Sequence, residues 1–161
     1  MSAAGHIDPS NKKVALLIAI LAALLAFSET LGKSAQTEAL SRNIEAANLW
    51  SFFQAKTVRM TTVRTALEQA EVQLPGASGE ANQVLAKRID DWRKTAARYD
   101  SEPDTGEGRK ELAQRAKTAE AKRDRSLAAY HQYETASAAL GVVGLSFTVI
   151  GYVAPTLIHL F

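Results

Sequence analysis

The stretch VALLIAILAALLAFS, residues 14–28, holds no charged side chain, and Lys12 and Lys13 stand just before it. Continued helically through Leu31 and Gly32, it spans about 28 Å at about 1.5 Å per residue, close to the thickness of a bilayer's hydrocarbon core. A basic flank, an apolar run and the small-x-small ending Ala26-Phe27-Ser28 also fit a cleaved signal peptide. The apolar character continuing past Ser28 favours a retained transmembrane helix. Asp8-Pro9-Ser10 supplies a start signal for it, since Asp or Ser can cap and Pro suits a first turn.

A second charge-free stretch runs from Thr135 to Phe161. Nearly every ionisable residue lies between the two, so the ends match a bilayer and the middle matches water. The expected fold is therefore all-α: a membrane protein with two transmembrane helices and a helical, coiled-coil-like extramembrane domain. The divisions are a polar tail (1–11), the first membrane helix (12–32), the extramembrane domain (33–135) and the second membrane helix (136–161). Within the domain, helices are expected over about 33–74, 80–99 and 107–135, with loops at 75–79 and 100–106.

No proline interrupts the chain between Pro9 and Pro75, so the first helix can leave the membrane unbroken. Leu49, Phe53, Lys56, Met60, Val63, Leu67, Ala70 and Leu74 alternate in steps of four and three. That is a heptad seam with one polar intruder, Lys56. Leu85, Ile89, Trp92, Ala96 and Tyr99 repeat the spacing in the next helix. Pro75-Gly76 and the segment 100–108, with Pro103, Gly106 and Gly108, break the pattern. The third helix is rich in Ala and charge. The pairs Glu38–Arg42, Asp90–Lys94 and Glu111–Arg115 have the i,i+4 spacing that supports a helix.

Both membrane helices carry a face of small residues: Ala15, Ala19, Ala22 and Ala26 in the first, Ser137, Gly141, Gly144, Thr148 and Gly151 in the second. In lipid, close packing replaces the hydrophobic effect, so such faces favour helix contact. Antiparallel alignment of the two apolar segments sets Glu29–Lys33 against His131–Thr135, and makes Lys33 and Glu134 the natural ion pair at the membrane boundary. Two crossings put both termini on one side. Lys33, Arg42, Lys122, Arg123 and Arg125 outnumber Lys12 and Lys13, which favours a cytoplasmic middle domain.

The segment Trp50-Ser51-Phe52-Phe53-Gln54-Ala55-Lys56-Thr57-Val58-Arg59, after the first apolar run, resembles an uncharacterised bacterial membrane family, domain-of-unknown-function family 4337. His131-Gln132-Tyr133-Glu134-Thr135-Ala136, entering the last apolar stretch, is similar to that family's second landmark. The resemblance implies a membrane-anchored helical protein, in the bacterial inner membrane, with no assigned activity and no catalytic residues to carry over.

Chemistry-bearing motifs are sparse. The chain has no cysteine, which excludes disulfides and thiolate chemistry. His6, His131 and His159 lack metal-site company apart from His131 and Glu134, so no metal or cofactor is expected. Gly106-Glu107-Gly108-Arg109-Lys110 lacks the spacing and preceding strand of a phosphate loop. The net charge of +2 gives no global signal for nucleic acid. The basic run from Arg109 to Arg125 reads as a solvated face, or as attraction to anionic headgroups. Glu29, near the end of the first membrane helix, reads as an interfacial residue, with an ion-site role as the alternative.

These features point away from an enzyme. They fit a membrane-anchored helical scaffold or accessory subunit acting by protein association, as a homo-oligomer or part of a larger membrane complex in contact with lipid. Trp50 and Phe52 are the candidate partner contacts. The alternatives are a small oligomeric channel or transporter subunit, and a transmembrane sensor lacking its own output domain.

Overall fold

A computed structural model describes the backbone of residues 9–153 and the side chains of residues 12–151. Within them the chain is helical, with no strand. His6 and His159, most of the polar tail, and the last residues of the second apolar stretch lie outside the described residues.

Helix α1 runs from Pro9 to Gln73, 65 residues in a single element. It ends where the sequence demands. Pro75 cannot continue the hydrogen-bond ladder, and Leu74–Gly76 tighten into a 3-10 turn. The Asn82 side-chain amide donates to the carbonyls of Leu74 (3.3 Å) and Ala77 (3.2 Å), fixing the return of the chain. Helix α2 spans Gly79–Asp100, 22 residues. Helix α3 spans Arg109–Thr148, 40 residues, and finishes in a π-helical turn, Val149–Val153.

The α2–α3 connection is held by Glu111 in the first turn of α3. Its carboxylate accepts from the Ser101 hydroxyl (2.6 Å) and the Glu102 amide (3.0 Å). An acid there also opposes the positive end of the helix dipole. Arg115, the expected partner of Glu111, instead donates to the Gly106 carbonyl (3.3 Å). The loop holds both donors, the Ser101 hydroxyl and the Glu102 amide, toward Glu111, whereas an i,i+4 pair would turn its carboxylate away from them. A Cβ on Gly108 would land on the Glu102 amide and the Ser101 backbone, so only glycine fits that crossing.

The chain divides into two compact units, residues 1–39 with 124–161, and residues 40–123. In the second unit, Ala46, Leu49, Leu112, Ala116 and Ala119 form the buried core, with Trp50 and Phe53 packed on it. The seam from Leu49 to Leu74 is buried or half-buried at every position, as is that from Leu85 to Tyr99. Helix α3 contributes more than its composition suggests. It presents alanines, and Ala116 is fully buried at 0% exposure, because small side chains let α3 lie close to α1.

The unit of residues 1–39 and 124–161 is built differently. The half-buried positions of its α1 stretch are Val14, Ile18, Leu21 and Leu25, leading to buried Ser28 and Gly32. Ala15, Ala19, Ala22 and Ala26 are exposed. On α3, Ser137, Gly141, Gly144 and Gly151 are half-buried, while Thr148 is exposed. The small face of α3 therefore lies toward the contact and that of α1 lies away from it. At Gly151 a Cβ would come within 2.8 Å of Val14 Cγ1, which marks the close approach. The Ser28 hydroxyl donates to the Tyr133 carbonyl (3.1 Å), fixing the antiparallel register at the other end.

Candidate functional site

Three places gather side chains with chemistry. The first lies where Ser28 meets Tyr133. A cleft of about 280 Å³ is lined by Glu29, Lys33, Gln36, Tyr130, Glu134 and Ser137, among others. Lys33 and Glu134 share this cleft, but no ion pair between them forms. Glu134 lies 3.5 Å from His131 Nδ1 one turn back. The contact line is occupied by Gly32 and Tyr133, whose Cβ lies 3.4 Å from where a Gly32 Cβ would be. Lys33 and Glu134, each one residue further along, are rotated onto the flanks, about 100° away per residue. Glu29 is exposed.

The second place is centred on Arg109. Its Nε donates to Thr57 Oγ1 (2.9 Å) on α1, and its Nη1 reaches Asp100 Oδ1 (3.3 Å) at the end of α2. The guanidinium lies 5.0 Å from the centre of the Phe53 ring. One side chain thereby ties three helices. Lys110 adds a 2.8 Å contact to Asp100, and this hydrogen bond, helped by the charges of Lys110, Arg109 and Arg64, holds the Asp100 carboxyl below its ordinary range. Lys56, the polar intruder in the seam, lies 3.8 Å from Glu107 and 5.5 Å from the Tyr99 ring centre. Its stem covers apolar surface while its charge finds partners. The arrangement leaves these groups mutually satisfied, with no nucleophile beside a base. The sequence shows Arg109 as the end of a failed phosphate loop and the start of a basic run, and hides its role as a tie, because its partners Asp100, Met60 and Thr57 sit 9, 49 and 52 positions away.

The third place is the surface of α1 around the aromatic segment. Trp50 is half-buried and donates from Nε1 to Glu120 Oε1 at 2.8 Å, with its ring edge-on to Phe53 at 5.4 Å. It is a packing residue of this unit. Phe52 is 63% exposed, so of the two expected partner contacts it alone faces outward. Val58 is exposed nearby, beside a shallow groove lined by Thr61, Thr62, Thr65 and Ala66. Among the described residues no three His, Cys, Asp or Glu side chains are grouped to hold a metal ion.

The family model described as a domain of unknown function (DUF4337) matches residues 10–154, nearly the whole described chain. The chain belongs to that family. Neither the curated proteins nor the solved structures gave a match. The DUF4337 match takes in both apolar stretches, both loops and the Arg109 cluster. Two of the helices, α1 and α3, are long and apolar enough to cross a membrane.

Proposed function

We propose that the chain is a membrane-anchored helical scaffold or accessory subunit that acts by protein association. Both termini lie on one side of a bacterial plasma membrane and the residue 40–123 unit lies in the cytoplasm. One observation carries the reading. The apolar windows of α1 and α3 are almost wholly uncovered by the rest of the chain, with Leu16, Leu24, Phe27, Val142, Leu145 and Ile150 exposed. In water that surface would be a strong aggregation liability; in lipid it is ordinary. The other unit buries a core around Leu49, Leu112 and Ala116 and leaves Phe52, Val58 and Val72 exposed, which offers association surface.

Purification of the full chain from native membranes in mild detergent, followed by identification of bound chains and mass measurement, tests the association reading. A stoichiometric complex, with itself or with another membrane protein, is the expected result. A symmetric oligomer that conducts ions in liposomes would favour the channel alternative, and a monodisperse monomer would count against the scaffold. A cysteine placed at Ser78 and probed with an impermeant thiol reagent reports the side, since the chain has no native thiol.

A further inference from the structure

On a helix packed by one face and wet on the other, the wet face carries the charges. Helix α2 obeys this: opposite its buried Ile89 and Ala96 stand exposed Lys87, Asp91, Lys94 and Arg98. Helix α3 obeys it too, with exposed Arg115, Lys117 and Lys122. Helix α1 does not. Starting at Leu40 and moving outward in steps of three or four, the positions are Ile44, Ala47, Ser51, Ala55 and Val58, and the series continues to Val72. Every one is exposed and none is charged. Of the charges in this stretch, Arg42 and Lys56 lie toward the inner seam, while exposed Arg59 and Glu68 stand on the two edges of the outward face and leave its centre uncharged. Leu40, Ile44, Val58 and Val72 are each more than half exposed.

We infer that this outward face of α1, from Leu40 to Val72, is the seam of a parallel pairing with α1 of a second copy of the chain. The inference rests on the association reading above and names the partner. Steps of three and four fit a helix as occupant. Charge distribution selects the copy. Around a two-fold axis each residue lies near its own duplicate, so any charge on the seam would face its like. A face meant for a different partner can use complementary charge; a face meant for itself must do without it, as this one does. The rim carries exposed amides, Asn48 and Gln54, that can donate and accept across the axis, and charges of opposite sign, Arg59 and Glu68, on its two edges. Ala47, Ser51 and Ala55 are small enough for close approach.

Size and orientation agree. The seam is about 48 Å long at about 1.5 Å per residue, and a contact about 8–10 Å wide covers about 400–480 Å² per copy. Both copies together bury about 800–960 Å², under the roughly 1,000 Å² that a stable soluble interface needs, so the pair is weak without its anchor. Anchoring in one bilayer gives every copy the same direction and a high effective concentration, which favours a parallel pair of modest area.

The test uses the full chain in membranes, with single cysteines at Ser51 or Thr62 on the seam and at Lys94 or Lys117 as exposed controls. A disulfide needs Cα atoms about 4.4–6.8 Å apart. Mild oxidation is expected to give covalent dimer at Ser51→Cys and Thr62→Cys at least about tenfold above the controls. Adding Ala55→Glu, an exposed change that leaves helical content intact, should abolish that dimer. Equal yields at all positions would mean random collision and overturn the pairing. Adducts of the seam cysteines with a different protein would overturn self-pairing and leave the association reading standing. No adduct of any kind would sink both.

Discussion

The two units put the same residue types to opposite use. In residues 12–39 and 124–151, Leu16 is 63% exposed and Leu145 69%; in residues 40–123, Leu49 is 7% and Leu112 4% exposed. The helix contact also differs in kind. In the first unit its close points are Ser28, Gly32 and Gly151, with Val14, Ile18, Leu21 and Leu25 only half-buried between them. In the second, leucines, Met60 and Ile89 accompany the alanines. With the apolar stretches in lipid, as proposed above, the difference is one of solvent. Lipid rewards fit and ignores exposed leucine, while water rewards burial of apolar area.

One substitution made in both units should separate them most. Leu112→Ala removes a buried side chain from the core of the residue 40–123 unit, the headpiece, and should cost about 2–5 kcal/mol of its stability. Leu16→Ala should leave headpiece unfolding unchanged. Denaturant titration of the full chain in detergent, followed by Trp fluorescence, reads both. Similar losses from the two would erase the distinction.

Trp50→Phe comes next. It keeps most of the ring packing and removes the donor to Glu120, an effect of about 1–2 kcal/mol for a half-buried bond to a charged acceptor. The same titration, now followed by circular dichroism, checks it. No change would return Trp50 to the role of a surface residue.

Acid should act on the α2–α3 connection. The Lys110 hydrogen bond lowers Asp100, the Arg98 and Thr105 hydrogen bonds lower Glu102, and the Ser101 and Glu102-amide hydrogen bonds lower Glu111, each below its ordinary carboxylate value. A lowered folded value means the folded state holds its protons less tightly than the unfolded one. Stability from these groups is thus complete above the ordinary range of about 4 and is lost as pH falls through the lowered values. The denaturation midpoint should stay level from neutral pH to about 5, then fall, and Glu111→Gln should flatten that fall. Lys94→Ala, which removes the exposed pair with Asp90, should change nothing measurable.

The sequence made the aqueous seams legible because polar residues contrast with apolar ones there. Leu49 to Leu74 and Leu85 to Tyr99 could be read at the right spacing, and Pro75 and Pro103 marked the loops. Inside VALLIAILAALLAFS that contrast vanishes. Any face can be drawn on a run of Ala, Leu and Ile, and the alanine face drawn there turned out to be exposed while Val14, Ile18, Leu21 and Leu25 face the contact. The Arg109 cluster and the alanine core of α3 were illegible for another reason: their partners are distant in sequence and share no local spacing. The Lys33–Glu134 pair failed by rotation, since the segments were aligned correctly but the two side chains fell on flanks.

The central claim is that both apolar stretches lie in lipid and the charged unit between them does not. Impermeant maleimide labelling of single-cysteine variants in sealed native membrane vesicles tests this directly. Leu24→Cys and Val143→Cys should stay unlabelled in vesicles of either orientation, while Ser78→Cys labels fully in the orientation that exposes its side. Labelling of Leu24→Cys and Val143→Cys as fast as Ser78→Cys in intact vesicles would contradict the account.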